Sequence, residues 1–582
     1  MALLWCYRRQ IGVRGEVLTY FCIQFVLMRI TTVILSCVLL FSCAVTTSST
    51  GQSGQPDAEP ARRPKLIVGI VVDQMKPEFI ERFWDDFGDS GFKRMVNGGF
   101  SASNLHYNYM PTYTGPGHAA VYTGTTPAFN GIVANDWFVR KSGMIQYCAK
   151  DTASRGVGSA LPAAQMSPVH LTSSTLGDEL RIFSSMQSRV IGIAMKDRGA
   201  ILPAGRMANA AYWYIGGSED KWATSDWYGM SALPQWVNDF NARGKGAEYL
   251  ANGWSLLLPE TNYTESMEDN NPYEAPFKGI TRPVFPYDLN ALRSTNNDYD
   301  LIKATPWGNR MTVDFAKAAL EGEQLGKRGV TDLLCISFSS TDYIGHQFGI
   351  HSREIQDCYV RLDRDLGEFL SFLDTWVGKG EYVVFLTADH GGAPTPSFLE
   401  KSGSSASYFK SVILEEKVES FLDEKYGAAQ WLLNETNQNI FLNHAAISER
   451  KLDLKNIQDE VAQHILSVNG VAESFAAHSL RGQELRSVIG TRVQLGFHQQ
   501  LSGDVIYTLL PGWIEYGMTG TTHGSPYSYD THVPALFYGF GVTPGETWRP
   551  QTICDIAPTI AAICRIPLPN ACIGEPIHGI VK

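Results

Sequence analysis

Four separated stretches of this chain are unbroken apolar runs rich in β-branched residues, and each stops at residues that can ionise or coordinate. Lys65-Leu-Ile-Val-Gly-Ile-Val-Val72 runs into Asp73-Gln-Met, and Ser188-Arg-Val-Ile-Gly-Ile-Ala-Met195 into Lys196-Asp-Arg198. Thr331-Asp-Leu-Leu-Cys-Ile-Ser-Phe338 leads to Asp342-Tyr-Ile-Gly-His346, and Tyr382-Val-Val-Phe-Leu386 to Asp389-His390. A strand that is apolar at nearly every position is buried on both faces, as in a parallel sheet covered by helices on each side. Helical patterns fall between the runs: Thr312 to Leu320 presents Val313, Ala316 and Leu320 on one face, and Glu354 to Leu373 presents Ile355, Leu362, Leu366, Phe369 and Leu373. The alternation predicts an α/β core with a mostly parallel sheet and helices on both faces. Val533 to Gly539 predicts a further strand, and Asp555 to Ile563 a closing helix. Ligands of such sheets bind beyond the carboxyl ends of the strands, where these four runs deliver their charged residues.

A second stretch suits a reaction at that edge. In Met110-Pro-Thr-Tyr-Thr-Gly-Pro-Gly-His118, a hydroxyl at Thr114 precedes a glycine-rich entry to a short apolar run. That predicts a loop feeding a helix N-terminus, where free N–H groups and the helix dipole favour an anion. Thr114 is then a candidate nucleophile beside a bound phosphate; taken alone, the stretch also reads as an ordinary threonine N-cap, the commoner case. Asp342 with His346, and Asp389 with His390, offer the mixed oxygen and nitrogen ligands that zinc takes, and Asp73 and His523 add two more. Each pair alone is a weak signal, and their joint placement after strand ends is the specific one. Six ligands without a cysteine suit two neighbouring cations, which stabilise the attacking and leaving oxygens of an in-line displacement. A threonine hydroxyl needs such help, being a poor nucleophile at its free pKa.

At 582 residues, 44% of them hydrophobic, the chain can bury a large core. The formal net charge is −11. Because Arg8, Arg9, Arg14 and Arg29 outweigh Glu16 near the start, the body beyond residue 43 is more acidic still. No nucleic acid is therefore expected as a stable partner. Met28-Arg29 followed by apolar Ile30 to Phe41 reads as the charged and apolar regions of an export signal within 1–43, with Met28 as the expected true start. Arg29 interrupts the apolar residues on either side, which argues against one continuous membrane span. Leu40-Phe-Ser-Cys43 resembles a bacterial lipobox, so two outcomes stand open: lipid on Cys43 with outer-membrane anchoring, or cleavage to a soluble periplasmic form. Residues 44–64 read as a flexible tether and 65–582 as the catalytic domain, interrupted by cap insertions at about 205–305 and 393–521. The aromatics of the first insertion are expected mainly to pack a core. Cys148, Cys335, Cys358, Cys554, Cys564 and Cys572 show no C-x-x-C spacing, and Cys564 with Cys572 is the closest candidate pair in sequence.

Asp73, Thr114 within T-G-P-G-H, Asn135 within G-I-V-A-N-D, Asp342-x-x-x-His346, Asp389-His390 and His523-Gly together resemble the alkaline phosphatase superfamily. More narrowly they resemble its bacterial PafA-type phosphatases, next to the type I phosphodiesterase/nucleotide pyrophosphatases. The resemblance runs from about Lys65 to the C-terminus. It implies two zinc ions, one on Asp342, His346 and His523 and the other on Asp73, Asp389 and His390, with Thr114 as the metal-bound nucleophile. It also implies that Asn135 donates to a phosphate oxygen and that Lys196 and Arg198, matching a K-x-R pair that marks the monoesterase branch, hold the substrate. A monoester dianion carries more charge on its terminal oxygens than a diester, which is what two added cations suit. The implied enzyme is an exported zinc-dependent phosphomonoesterase that forms a phospho-threonine intermediate and acts on small-molecule phosphate monoesters; its oligomeric state stays open, with a monomer favoured. A phosphodiesterase or nucleotide pyrophosphatase on the same metals is the alternative. His532 rivals His523 as a ligand, but His523 precedes a glycine as the family pattern requires. His118 is expected to shape the nucleophile helix, and the C-x-P-x-R pattern of sulfatases is missing.

Overall fold

The computed structural model describes residues 62–580; the predicted export signal and nearly all of the tether lie outside them. The centre of the fold is five parallel strands. These are β1 (Leu66–Val72), β2 (Val190–Ala194), β3 (Ala210–Ile215), β4 (Asp332–Phe338) and β5 (Tyr382–Thr387), in the spatial order β5-β1-β4-β2-β3. Every residue of all five is buried, the condition the unbroken apolar runs demand. β1 is an interior strand, pairing Leu66 with Asp332 of β4 on one side and with Tyr382 of β5 on the other. The predicted strand near the C-terminus is Ala535–Gly539 and pairs antiparallel with β5, so only the sheet's margins depart from parallel. The sheet has ten strands in all.

Five helices matter to the site: α1 (Thr114–Thr123), α2 (Asp197–Ala204), α3 (Pro306–Gly322), α4 (Ser340–Phe348) and α5 (Arg353–Leu373). The predicted helix over 312–320 starts earlier, because Pro306 sits at its first turn, where a missing N–H costs nothing. α5 begins where Ser352 accepts a hydrogen bond from Ile355 N, an N-cap just ahead of the first periodic apolar residue. The closing helix is Ile556–Cys564.

Of the stretch 205–305, the first part belongs to the main sheet: β3 and the antiparallel strand Lys221–Ser225 extend it, and the rest is short helices and loops. Trp213, Trp222 and Trp254 are fully buried there, and Trp222 stacks on Phe315 of α3 at 4.1 Å between ring centroids. Within 393–521 the chain builds a four-stranded antiparallel sheet from Leu432–Thr436, Asn439–Leu442, Val471–Ala476 and Val505–Leu509. Helices Ser411–Tyr426 and Leu454–Ile465 share with it a separate core that includes Leu414, Val418, Trp431, Val461 and Tyr507. All six cysteines among the described residues are free thiols, Cys564 and Cys572 included. Among the described residues no helix is long and apolar enough to cross a membrane.

Candidate active site

The parallel strands end together, and the side chains that follow them meet. Asp73 comes directly after β1, Lys196 two residues after β2, Asp342 in the first turn of α4 after β4, and Asp389 two residues after β5. Asp73, Asp389 and His390 place ligand atoms within 4.8 Å of one another, and so do Asp342, His390 and His523. His346, one turn beyond Asp342 on α4, brings Nε2 to 3.2 Å from Asp342 Oδ1, and His523 Nε2 lies 3.6 Å from the same oxygen. His390 joins the two groups: its Nε2 is 3.5 Å from Asp73 Oδ1 and 3.5 Å from Asp389 Oδ2, and its ring stacks on His523 at 3.4 Å.

The donor chemistry fits a pair of divalent cations. Each of the three imidazoles spends its Nδ1–H on a backbone carbonyl: His346 on Thr521 O at 2.7 Å, His523 on Thr112 O at 2.7 Å and His390 on Gly391 O at 2.8 Å. That fixes the tautomer and leaves Nε2 as the free lone pair, the arrangement metal-binding histidines adopt. Burial pushes the pKa of His390 down; burial, then His390 alongside, pushes that of His523 well down, so both rings are neutral at pH 7. Asp73 is fully buried, its Oδ1 has no hydrogen-bond donor, and its Oδ2 meets Lys196 Nζ at 2.7 Å. Burial, reinforced by Asp342 and Asp389, raises its pKa well above the usual carboxylate range, the signature of a site carrying more negative charge than its surroundings balance. For Asp342, burial works in the same direction but is outweighed by His346 and Lys196, which hold it well below.

Two glycines explain why these loops can close on one another. A Cβ on Gly117 of α1 would lie 2.2 Å from Asp389 O, so the T-G-P-G-H stretch needs glycine there to bring Thr114 against the β5 loop. A Cβ on Gly345 would lie 1.8 Å from Gln74 Oε1. Gln74 is a site residue that sequence reasoning missed. It sits at φ 61°, donates its backbone N–H to Asp389 Oδ1 at 3.2 Å and its side-chain Nε2 to Asp342 Oδ1 at 3.0 Å, and so ties the two carboxylate groups together. Its one sequence signal was adjacency to Asp73.

Thr114 is the first residue of α1, 1% exposed, with Oγ1 3.4 Å from His390 Nε2. Beyond Thr114 itself, the first backbone N–H groups of this helix are spent or missing. Gly115 N donates to Asn135 Oδ1 at 2.8 Å, Pro116 has no N–H, and Gly117 N donates to Tyr113 O at 2.8 Å. Asn135 thereby keeps its Nδ2 donors for another acceptor. His118 shapes the helix as expected: its Nδ1 is 2.8 Å from Thr114 O and 3.3 Å from Asp389 Oδ2, and its Nε2 is 2.8 Å from Ser337 Oγ. His532, the rival ligand, lies apart from the cluster: it stacks on His106 at 4.5 Å and bonds Ser103 O.

Lys196 is 5% exposed, and its Nζ sits between the two groups, 2.7 Å from Asp73 Oδ2 and 2.5 Å from Asp342 Oδ2. Burial opposes that charge, but the two carboxylates overcome it and raise the lysine pKa. Arg198 donates to the Tyr147 hydroxyl at 3.1 Å, Tyr147 donates to Asp197 Oδ1 at 2.5 Å, and Arg198 Nε is buried without a partner. Lys196, Arg198, Trp213, Lys303 and Tyr343 line a cavity of about 450 Å³. On the other side of the cluster a cavity of about 310 Å³ runs past His523 and Tyr113 to Glu435, Glu515 and Asp530 of the second insertion and its return.

The family model for type I phosphodiesterase / nucleotide pyrophosphatase matches residues 67–532, and the chain belongs to that family. Its relatives narrow the class. Alkaline phosphatase PhoV of Synechococcus elongatus is 40% identical over 559 residues, 95% of this chain and 100% of that protein. Alkaline phosphatase PafA of Elizabethkingia meningoseptica is 37% identical over 533 residues, 91% of this chain and 97% of the relative. A crystal structure of wild-type PafA superposes with a TM-score of 0.86 at 37% identity, covering 90% of this chain and 100% of that one. A Myroides odoratus protein described as a calcium-transporting ATPase is 43% identical over 529 residues, 90% of this chain and 96% of its own length. Within the family, the chain is an enzyme of the PafA-type alkaline phosphatase group.

Proposed function

We propose that this chain is an exported, zinc-dependent phosphomonoesterase that works through a phospho-threonine intermediate on Thr114. The observation that carries the reading is one of placement: the Thr114 hydroxyl, the two ligand groups and the Lys196/Arg198 cavity meet at a single edge of the sheet. Asp342, His346 and His523 would hold one cation and Asp73, Asp389 and His390 the other. Such a pair supplies Lewis acidity, lowering a hydroxyl pKa and offsetting charge on the attacking and leaving oxygens.

The chain's own residues do the rest. Asn135, its carbonyl engaged by Gly115 N, offers Nδ2 to a phosphate oxygen. Lys196 and Arg198 offer two full charges to the dianion of a monoester, where preorganised donors act most strongly. His118 holds the Thr114 carbonyl and so the first turn of α1, which fixes where Oγ1 stands. Oγ1 attacks phosphorus, the bond from phosphorus to the alcohol oxygen breaks, and water then cleaves the Oγ1–phosphorus bond. Two in-line displacements retain configuration at phosphorus. The alcohol leaves on the His523 side, where the second cavity opens. Export to the periplasm, as a soluble form or anchored through lipid on Cys43, belongs to the same proposal.

The test is the ratio of kcat/KM for p-nitrophenyl phosphate to that for bis-p-nitrophenyl phosphate. A ratio well above one is expected, and preference for the diester would replace this reading with the phosphodiesterase one. ATP, suggested by one relative's description, belongs in the same substrate panel.

A further inference from the structure

The cavity on the His523 side has walls of one sign. Glu435 comes from the strand Leu432–Thr436 of the second insertion, Glu515 follows the strand Val505–Leu509, and Asp530 lies on the segment that returns to the main sheet. All three line the same space of about 310 Å³. Met110, Tyr113, Trp513 and His523 line it as well, and among its described lining residues there is neither a lysine nor an arginine. The Tyr113 ring meets His523 edge-on, with centroids 5.6 Å apart. One end of the cavity is therefore a ligand of the proposed catalytic pair, and the rest is acidic and aromatic surface.

The hydrogen bonds these acids accept come from neutral groups. Glu435 Oε1 accepts the Tyr507 hydroxyl at 3.0 Å, Glu515 Oε1 accepts Ser411 N at 3.1 Å and Ser411 Oγ at 2.5 Å, and Asp530 Oδ2 accepts Ser525 N at 2.8 Å. Asp530 is 1% exposed and its Oδ1 has no partner; Thr508, 0% exposed in the same wall, leaves its Oγ1 without one. Lys76, whose charge reaches Asp530, is paired with Glu78 at 2.9 Å. Burial, then Glu515 alongside, pushes Glu435 up to about 8, and burial pushes Asp530 up to about 7. Carboxylates raised in this way lack a counter-charge, and a bound cation supplies one by drawing the proton off.

We propose that this cavity receives a leaving alcohol that carries an ammonium group, so that the enzyme prefers amino-alcohol phosphates, such as choline or ethanolamine phosphate, to neutral monoesters of the same shape. The inference rests on the phosphomonoesterase reading, in which the alcohol departs on the His523 side. An ammonium group finds there carboxylates for its charge and the rings of Trp513 and Tyr113 for cation–π contact. The volume is at the small end of ligand pockets, which suits a short head group. The same wall repels a leaving group that is itself an anion, as ADP is when it departs from ATP. Glu435 and Glu515 both belong to the second insertion, so the insertion would choose the alcohol while the sheet edge performs the chemistry.

The experiment measures kcat/KM of the full zinc-loaded enzyme on matched pairs of esters, with p-nitrophenyl phosphate as reference. Choline phosphate is set against its carbon isostere, in which a tert-butyl group replaces the trimethylammonium, and ethanolamine phosphate against propyl phosphate. At least one cationic ester should exceed its neutral twin about tenfold or more. Glu435→Gln combined with Glu515→Gln should bring that ratio down to about one, the fall coming from the cationic ester. Glu515 stands on the exposed rim, so Glu515→Gln alone carries the test if Glu435→Gln fails to fold, and should lower the ratio about threefold or more. Calorimetry with the same pairs on Thr114→Ala should show the preference as a ratio of Kd values, which reads the cavity apart from the chemistry. Turnover of p-nitrophenyl phosphate without preference for either cationic ester would overturn this inference and leave the phosphomonoesterase reading standing. A preference that survives both glutamine substitutions would overturn it as well. No turnover of any monoester would defeat the phosphomonoesterase reading itself, and this inference with it.

Discussion

Replacing Lys196 and Arg198 by alanine should convert a monoesterase into an enzyme that scarcely distinguishes its two substrate classes. Both side chains line one cavity beside Asp73 and Asp342, and Lys196 is almost wholly buried, so its charge acts with little solvent screening. A unit charge about 4 Å from a cation is worth about 4 kcal/mol at an effective dielectric of about 20. A monoester dianion carries about one unit more than a diester, spread over its terminal oxygens. The double variant should then lose about 10³-fold in kcat/KM for p-nitrophenyl phosphate, in line with about 10²–10³ for removing one preorganised donor. For bis-p-nitrophenyl phosphate the loss should stay within about tenfold. The assay is steady-state kcat/KM for both esters on the same preparation, with zinc measured on that preparation. Metal content must hold at the parent's level, because Lys196 also touches two of the expected ligands. Equal losses on the two esters at unchanged metal content would refute the assignment of these cations to the extra phosphate charge.

Three other outcomes follow from the same geometry. Thr114→Ala should abolish turnover, by about 10³-fold or more, while zinc content stays near the parent's, and acid-quenched parent enzyme should carry phosphate on Thr114 by mass spectrometry. Gly345→Ala should weaken metal binding about 10- to 100-fold, because the new methyl displaces Gln74 from Asp342, and adding Gln74→Ala should cost little more than Gly345→Ala alone. His351 is half-buried and its pKa is pushed down to about 4, by desolvation first and then by Arg82 and Lys76. Its unfolded value is about 6.5, so the unfolded chain binds the extra proton between those limits and stability falls as pH drops from about 6.5 to about 4. His351→Gln should flatten that acid limb in denaturant titrations, whereas a slope unchanged by the substitution would remove His351 as its source.

The parallel sheet was legible because burial on both faces writes itself as unbroken apolar runs, and β1, β2, β4 and β5 stand where those runs stood. β3 was missed: Ala210–Ile215 is aromatic and lies within a stretch read as cap, though it pairs directly with β2. Ligand candidates were legible as ionisable residues just past strand ends, and Asp73, Asp389, His390, Asp342, His346 and His523 do converge. What joins them was not. Gln74 is an uncharged residue whose role depends on a positive φ and on the space that Gly345 leaves, neither of which has a local sequence pattern. The helix N-terminus was legible only in part for a similar reason: the partner that takes Gly115 N is Asn135, twenty residues on, and only the fold brings it there.

Anomalous diffraction collected on either side of the zinc absorption edge, from crystals of the full enzyme, tests the central claim most directly. Two zinc peaks are predicted, one among Asp342, His346 and His523 and one among Asp73, Asp389 and His390, with Thr114 Oγ1 beside them. A single peak, or a pair that leaves Asp73 or His523 without a metal, would contradict it.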